Sequence, residues 1–278
     1  MYKKLLVSFI AVIMIISMTA FATEPYGKDN APVDIDINGC FVKCEEKAII
    51  VNASTYIPLR AFSDAVGGMV TWDNESKSAT MTKDGHTFVF YPHEGYCVID
   101  GVRSEYPSMI YANLTFIPVR AVSETLGYGV EWDNLNLVVK ITAPDVNVSE
   151  QYRDNTYTYE DLMYLGRIVQ IESGYQHFEV KLGVANTVLN RVKSPEFPSS
   201  IKDVIYDSRY GVQFPPAHTE SFNKTPSRES MIAAKCALNG TNNVRNSLYF
   251  IDTAYAASSW THNNRPFYAA IHDMSFYE

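Results

Sequence analysis

The sequence contains few of the residues on which disulfide-stabilised and zinc-stabilised folds depend. Its 278 residues include 4 cysteines, and none of them belongs to a C-x-x-C pair. So few cysteines in so long a chain do not build a disulfide scaffold. Cys40 and Cys44 are too far apart along one strand-like stretch to bridge, so any disulfide would use Cys97 or Cys236. No histidine stands at ligand spacing beside them, and we predict structural or free thiols and no metal.

The chain also lacks an excess of positive charge. Lysine and arginine number 23 against 31 aspartates and glutamates, which gives a formal net charge of −8. No stretch forms the basic stripe of a nucleic-acid-binding surface, so we expect no nucleic-acid partner. A metal hydrolase would have to use His177, His218, His262 or His272, but no H-E-x-x-H or comparable spacing supports one. We therefore expect no cofactor.

Apolar runs that could span a membrane are missing beyond the first residues. Segment 5–18 is apolar, follows two lysines and precedes Ala20-Phe21-Ala22, the A-x-A pattern of a signal-peptidase site. This run is short of the roughly 20 residues that a spanning helix needs, and an uncleaved anchor is the alternative. We predict a signal peptide at residues 1–22, a secreted or cell-wall location, and no membrane contact after cleavage.

The N-terminal half repeats itself at a spacing of 60 residues. The first pair of matching runs is Thr55-Tyr-Ile-Pro-Leu-Arg-Ala-Phe-Ser and Thr115-Phe-Ile-Pro-Val-Arg-Ala-Val-Ser. The second pair is Val70-Thr-Trp-Asp-Asn and Val130-Glu-Trp-Asp-Asn. Matching runs at one fixed spacing indicate an internal duplication.

Each copy is predicted to form a strand, a helix and two further strands. Asn38-Gly39 and Asp100-Gly101 are strong hairpin signals, one before each copy. In copy one, Gly67 stands where the helix would end. The apolar residues before it recur at helical spacing: Leu59, Phe62, Ala65 and Val66.

This pattern resembles the paired copper amine oxidase N-terminal domain-like modules of exported Gram-positive proteins. The resemblance covers residues 32–143, with copies at about 32–82 and 98–142, and implies a non-catalytic stalk. Attachment to the cell wall or spore coat is the expected role. We interpret Arg60 and Arg120 as structural anchors, with a sugar- or anion-binding pair as the alternative.

Residues 144–158 are polar and are predicted to be a linker before a second domain at 159–278. Leu165, Ile168, Val169 and Glu172 then share one helical face. Desolvation on that stripe would raise the pKa of Glu172, as a general acid at neutral pH requires. A partly exposed glutamate at a helix end is the alternative.

Further patterns predict helices at about 178–193, 200–206 and 227–238 and strands at 248–251 and 273–277. The predicted fold class is α+β. A duplicated small α/β stalk module precedes a mainly helical, lysozyme-like domain with a small β-sheet.

The order of motifs from residue 160 to 278 resembles the spore cortex-lytic and cell wall hydrolase family. The most specific run is Val188-Leu-Asn-Arg-Val-Lys-Ser-Pro195 with Phe197-Pro198. The supporting runs are Glu172-Ser173, Ile201 to Tyr206, Gln213-Phe214, Leu248-Tyr-Phe250 and Phe276-Tyr277.

That resemblance implies cleavage of peptidoglycan glycan strands between N-acetylmuramic acid and N-acetylglucosamine. Glu172 matches the family's catalytic glutamate. The implied substrate-binding residues are Asn190, Gln213, Phe214, Tyr249 and Tyr277. No second acid has a convincing motif, so a lytic transglycosylase mechanism with one glutamate is the economical hypothesis.

Two stretches depart from the family pattern. Ser-Gly-Tyr-Gln-His-Phe-Glu follows Glu172 where the family has S-R-G-E-P-x-E, and Met274 stands where a histidine is usual. His272 is a candidate substitute for that histidine. A catalytically inactive cell-wall-binding protein is therefore the rival interpretation.

Overall fold

The computed structural model describes residues 26–278, which form two domains packed against each other. The predicted signal peptide lies outside the described residues. The predicted α+β class is confirmed, with a strand-rich N-terminal domain and a mainly helical C-terminal domain.

The N-terminal domain contains thirteen strands and two helices among the described residues. Its helices are α1 (Leu59–Val66) and α2 (Val119–Thr125). Its strands are β1 (Asp34–Ile37), β2 (Cys40–Phe41), β3 (Ile49–Val51), β4 (Ser54–Pro58), β5 (Met69–Asp73), β6 (Ser78–Lys83), β7 (His86–Tyr91), β8 (Tyr96–Ile99), β9 (Val102–Arg103), β10 (Met109–Tyr111), β11 (Leu114–Pro118), β12 (Gly129–Asp133) and β13 (Val138–Thr142).

The predicted order of strand, helix, strand and strand is confirmed in both copies, at β4-α1-β5-β6 and β11-α2-β12-β13. Helix α1 buries the predicted apolar stripe, and Gly67 ends it with a left-handed φ of 73°. Asn38-Gly39 and Asp100-Gly101 also form the expected hairpin turns. All four of these residues have positive φ, which an asparagine or aspartate followed by glycine adopts readily.

The two copies meet along an antiparallel pair of strands. Ile57 of β4 pairs with Ile117 of β11, and these two residues occupy equivalent positions in the repeat. A second sheet joins the ends of the module, because β1 pairs in parallel with β13. The duplication therefore folds as one body with a shared apolar core.

Residues 144–158, predicted to be a linker, pack along the N-terminal domain. Asn38 Nδ2 donates to the carbonyl oxygens of Ala143 and Val146, at 2.6 and 2.9 Å. The Asp154 amide donates to Phe41 O at 2.8 Å, and Tyr157 is buried. This segment joins the two domains without a free stretch between them.

The C-terminal domain is built on three long helices. Helix α3 packs against both α4 and α6. A capping box begins α3, because Thr158 Oγ1 accepts from the Asp161 amide and Asp161 accepts from the Thr158 amide. The helices are α3 (Tyr159–Ser173), α4 (Phe178–Lys193), α5 (Ile201–Ile205), α6 (Arg228–Leu238), α7 (Thr253–Ala256) and α8 (Trp260–Asn264).

A three-stranded antiparallel sheet closes the C-terminal domain, in the order β14 (Tyr249–Asp252), β16 (Met274–Tyr277) and β15 (Phe267–Ile271). The sheet lies close to α4, since a methyl group placed on Gly183 would stand 2.5 Å from Phe276 Cζ. Strands β14 and β16 were predicted from the sequence, whereas β15 was not.

A buried ion pair joins the two domains. Lys235 Nζ of α6 lies 3.0 Å from Asp34 Oδ2 of β1, and the Lys235 side chain is fully buried. The same ammonium donates to the carbonyl oxygens of Asn136 and Leu137, each at 2.6 Å. Phe41, from the N-terminal domain, packs against Tyr159 of α3 with ring centroids 4.6 Å apart. The domains therefore share a core and a polar contact.

Candidate active site

Glu172 lies in the last turn of α3, on the helix face that points into the C-terminal core. Leu165, Ile168 and Val169 on the same face are fully buried. The side chain of Glu172 is partly buried, and its Oε1 atom is inaccessible to solvent and has no hydrogen-bond partner among the described residues. An unpaired carboxylate is costly in such a place, so the site favours the neutral acid.

The electrostatics of Glu172 follow from this burial. Desolvation raises the pKa of its carboxyl group above the ordinary glutamate value, and the charge of Arg191 lowers it in part. Among residues 26–278, Arg191 is the one charged group that shifts this pKa. Glu172 is thus kept protonated to a higher pH than a solvated glutamate, beside a single cation.

Arg191, on α4, is held in a cage of aromatic rings. Its guanidinium carbon lies 4.9 to 5.5 Å from the ring centroids of Phe197, Phe214 and Tyr249. Its Nε donates to Leu248 O at 2.7 Å, while Nη1 is buried without a partner in the described chain. Burial lowers the pKa of Arg191 to about 10, although Tyr249, Asp207 and Glu172 oppose that shift.

Arg191 was missed as a functional residue at the sequence level. It stands next to Asn190 in the most family-specific run, which was the available signal. Sequence spacing does not reveal that this arginine faces Glu172 from another helix. This buried cation supplies a positive charge that acts on the Glu172 carboxyl group.

Two of the predicted substrate-binding residues, Phe214 and Tyr249, form part of this aromatic cage. Tyr249 is half-buried, and its hydroxyl accepts a hydrogen bond of 2.7 Å from Arg265 Nη2. Phe214 is 2% exposed, packs its ring 6.2 Å from that of Phe250 and lies against Arg191. Phe214 is therefore placed to hold the cage, and a direct contact with sugar by its ring stays a prediction.

Asn190 and Tyr277 are occupied by contacts within the protein. Asn190 is 9% exposed, and its amide donates to the carbonyl oxygens of Arg245 and Ser247, at 2.7 and 3.0 Å. Tyr277 is 1% exposed, and its hydroxyl lies at 3.0 Å from His262 Nδ1. Both side chains fix the loop and sheet beside the cage, and a role in contacting substrate stays a prediction.

Gln213 stands at a partly exposed position before Phe214. Its side-chain amide donates to Gly211 O at 3.1 Å, and its backbone amide donates to Asp207 O. Asp207 itself is committed to Arg209, whose Nε lies 2.9 Å from Asp207 Oδ1. That hydrogen bond holds the pKa of Asp207 below its ordinary value. An anion held in this way is a poor candidate for a second acid.

The C-terminal domain carries several exposed aromatic side chains. Tyr175 follows Glu172 by three residues and is fully exposed. Such rings offer flat apolar faces that suit sugar rings, and their exposure leaves those faces free. The other members are Tyr210, Tyr255, Trp260 and Phe267.

Two family models match the chain, and their boundary at residues 174–175 falls after helix α3, within the C-terminal domain. The model of the copper amine oxidase N-terminal domain matches residues 36–141 and again 98–174. The Cell Wall Hydrolase model matches residues 175–277. The C-terminal domain is therefore similar to cell wall hydrolases over residues 175–277. Glu172 lies three residues before the region matched by the cell wall hydrolase model, whereas Arg191, Gln213 and Phe214 lie within it.

The curated proteins to which this chain is similar include spore cortex-lytic enzymes. The chain is 29% identical to that of Bacillus cereus over 106 residues, which are 38% of this chain and 40% of the relative. It is 28% identical to that of Oceanobacillus iheyensis over 117 residues, which are 42% of this chain and 40% of the relative. The chain thus spans about two fifths of the length of these relatives.

Two solved structures are also similar. The catalytic domain of the germination-specific lytic transglycosylase SleB from Bacillus anthracis is 27% identical, with a TM-score of 0.41 over 45% of this chain and 99% of that one. The catalytic domain of Bacillus cereus SleB is 26% identical, with a TM-score of 0.40 over 45% and 94%. Within residues 26–278, no helix is both long enough and apolar enough to cross a membrane.

Proposed function

We propose that the C-terminal domain cleaves peptidoglycan glycan strands between N-acetylmuramic acid and N-acetylglucosamine. The observation that carries this proposal is the carboxyl group of Glu172, partly desolvated and with Arg191 as its charged neighbour. The match to the Cell Wall Hydrolase model and the similarity to spore cortex-lytic enzymes support the substrate class. Those relatives favour spore cortex over vegetative wall.

The proposed mechanism uses Glu172 twice. The protonated carboxyl donates its proton to the glycosidic oxygen, and the bond to the anomeric carbon breaks. The carboxylate then accepts the proton of the muramic acid 6-hydroxyl, whose oxygen closes on the anomeric carbon. No water is consumed, so the products are an anhydro-muramic end and a free N-acetylglucosamine hydroxyl. One carboxyl group that acts first as the acid and then as the base is sufficient for both steps, whereas an ordinary glycosidase needs two.

The experiment that tests this mechanism is product analysis by mass spectrometry. We expect purified spore peptidoglycan digested by the wild-type protein in heavy-oxygen water to yield anhydro-muropeptides without solvent oxygen. Reducing ends that carry the heavy oxygen would identify a hydrolase instead. Pull-down of the protein with the wall, but without soluble products, would support the inactive binding protein.

We also propose that the chain is exported and that its N-terminal domain attaches it to the wall. A cavity of about 710 Å³ in this domain supports a binding role, since small-ligand sites fall within that size range. Arg60, Trp72 and Tyr152 line it together with Asp64 and His93. An exposed tryptophan and an unpaired arginine in one cavity suit a glycan ligand that carries a carboxylate.

The two copies of the repeat differ in the contacts of their equivalent arginines, Arg60 and Arg120. Arg120 is bound within its own copy, because its Nη1 donates to Glu124 Oε1 and Val130 O, at 3.1 and 3.3 Å. Arg60, its equivalent, is exposed and makes no hydrogen bond or ion pair with the described residues. Arg120 is therefore hydrogen-bonded within its own copy, whereas Arg60 lines the cavity with its guanidinium group available to a ligand.

This difference supplies a matched test of attachment. We expect Arg60→Gln combined with Trp72→Ala to reduce co-sedimentation with peptidoglycan by about tenfold, because it removes a charge-assisted contact and a stacking face. Arg120→Gln with Trp132→Ala is the matched pair in copy two, and its binding should remain. Both are measured in a Glu172→Gln background, so that digestion does not intervene. Equal losses from the two pairs would contradict the proposal.

A further inference from the structure

Three potential metal ligands converge beside α4, outside the cage around Arg191. His177 is the N-cap residue of α4, and Glu179 lies in its first turn. His272 lies in the turn between β15 and β16, with a left-handed φ of 49° that histidine tolerates better than most residues. One ligand atom from each residue lies within 4.8 Å of the other two.

These three side chains lie close together but make no good hydrogen bond with one another. The imidazole rings of His177 and His272 stack with centroids 4.0 Å apart and planes 18° from parallel. His272 Nε2 is 3.6 Å from Glu179 Oε2, which is too far for a good hydrogen bond. All three side chains are exposed, so their ring nitrogens and carboxylate oxygens remain available to a ligand.

We propose that His177, Glu179 and His272 form a binding site for Zn²⁺ or a similar transition-metal ion. Two imidazoles and a carboxylate are ligands that such ions accept, with water in the fourth tetrahedral position. Bonds of about 2.0–2.1 Å place tetrahedral ligand atoms roughly 3.4 Å apart. The present separations therefore need to close by little more than about 1 Å, which exposed side chains achieve by rotation about their χ angles.

The chemistry of the donors selects the ion. Magnesium and calcium prefer sites made of oxygen ligands, and this cluster offers one carboxylate against two nitrogens. Both histidines fall in the two stretches where the sequence departs from its family pattern, so the cluster is a feature of this chain.

The position of the cluster indicates what a bound ion would do. His177 follows Glu172 by five residues in the connection from α3 to α4, and His272 precedes β16, which carries Tyr277. An ion held by both histidines fastens that connection to the hairpin. The site is thus a structural clamp beside the proposed active site, and it does not depend on the proposed activity.

The test is a titration of the chelator-treated full chain with Zn²⁺ alone, followed by calorimetry. We expect one site with a dissociation constant on the order of 1 µM, and a melting temperature that rises as Zn²⁺ is added. His177→Gln and His272→Gln should each weaken binding by about tenfold or more. His218→Gln, which replaces an exposed histidine elsewhere in the C-terminal domain, should not change binding.

Cobalt distinguishes this cluster from the four thiols of the chain. Co²⁺ bound by nitrogen and oxygen lacks the intense near-ultraviolet charge-transfer band of a thiolate complex. We expect visible d–d bands without that band, and their loss in His272→Gln. A strong thiolate band, an unchanged affinity in both histidine variants, or no saturable binding would each overturn the proposal.

Discussion

Glu172→Gln should reduce the release of glycan fragments from peptidoglycan by about 10³-fold or more, because one side chain supplies both the acid and the base. The variant should fold normally. A folded-state pKa raised by burial means that ionising Glu172 costs stability as the pH rises, so the neutral amide removes that cost at pH 7. We therefore expect its melting temperature at pH 7 to equal or exceed that of the wild type.

The matched control is Glu160→Gln, at the exposed first turn of the same helix. It should leave the rate unchanged. Substantial activity in Glu172→Gln would remove this residue from the mechanism. A loss of activity accompanied by a lower melting temperature would indicate a structural role instead.

The pH dependence of the wild-type rate tests the environment of Glu172 directly. A general acid must be protonated, so the rate falls as the pH rises through the pKa of Glu172, which desolvation has raised. Arg191→Gln removes the cation that lowers this pKa, and the falling limb should then move to a higher pH. A lower rate with an unshifted limb would show that Arg191 only supports the fold.

Local sequence signals were sufficient to predict most of the helices and the buried stripe of the helix that carries Glu172. Thr158 with Asp161 begins α3, and the stripe from Leu165 to Glu172 follows from helical periodicity. The Asn-Gly and Asp-Gly turns were predictable for the same reason, because their backbone preference belongs to the dipeptide. Each of these features depends on residues close together in the chain.

Contacts between distant segments were not predictable in this way. Arg191 meets Phe214 and Tyr249 only after α4, a loop and β14 have packed together. Strand β15 contains two alanines and an exposed phenylalanine, a weak signal that becomes a strand because β16 pairs with it. The polar segment 144–158 was predicted to be a linker. Its packing on the N-terminal domain was not predictable, because no local pattern shows which surface will bind it.

Lys235→Met should lower the free energy of unfolding by about 3–5 kcal/mol at pH 7, the usual cost of breaking a buried ion pair. The lysine is fully buried and contacts Asp34 and two backbone carbonyl oxygens. Methionine fills a similar volume but satisfies none of them. Chemical denaturation monitored by tryptophan fluorescence and circular dichroism measures the loss.

Because Asp34 is ionised at neutral pH in the ion pair, the stability lost in Lys235→Met should depend on pH. Burial alone would raise the pKa of Asp34, but Lys235 and Lys47 together hold it below its ordinary value of about 3.9. The stability that Asp34 contributes is therefore present above about pH 4 and is lost as the pH falls through its lower folded-state pKa. Without Lys235 the folded-state pKa rises, so Lys235→Met should cost more at pH 7 than at pH 3.

Two further variants separate the ion pair from the loss of a side chain. Asp34→Asn in the Lys235→Met background should recover part of the stability, because no unpaired carboxylate then remains buried. Lys202→Met breaks an exposed pair with Glu160 and should produce no measurable change. Because Asp34 and Lys235 belong to different domains, Lys235→Met should also split one cooperative unfolding transition into two. A single transition at the wild-type midpoint would show that apolar contacts such as Phe41 against Tyr159 hold the domains together without the ion pair.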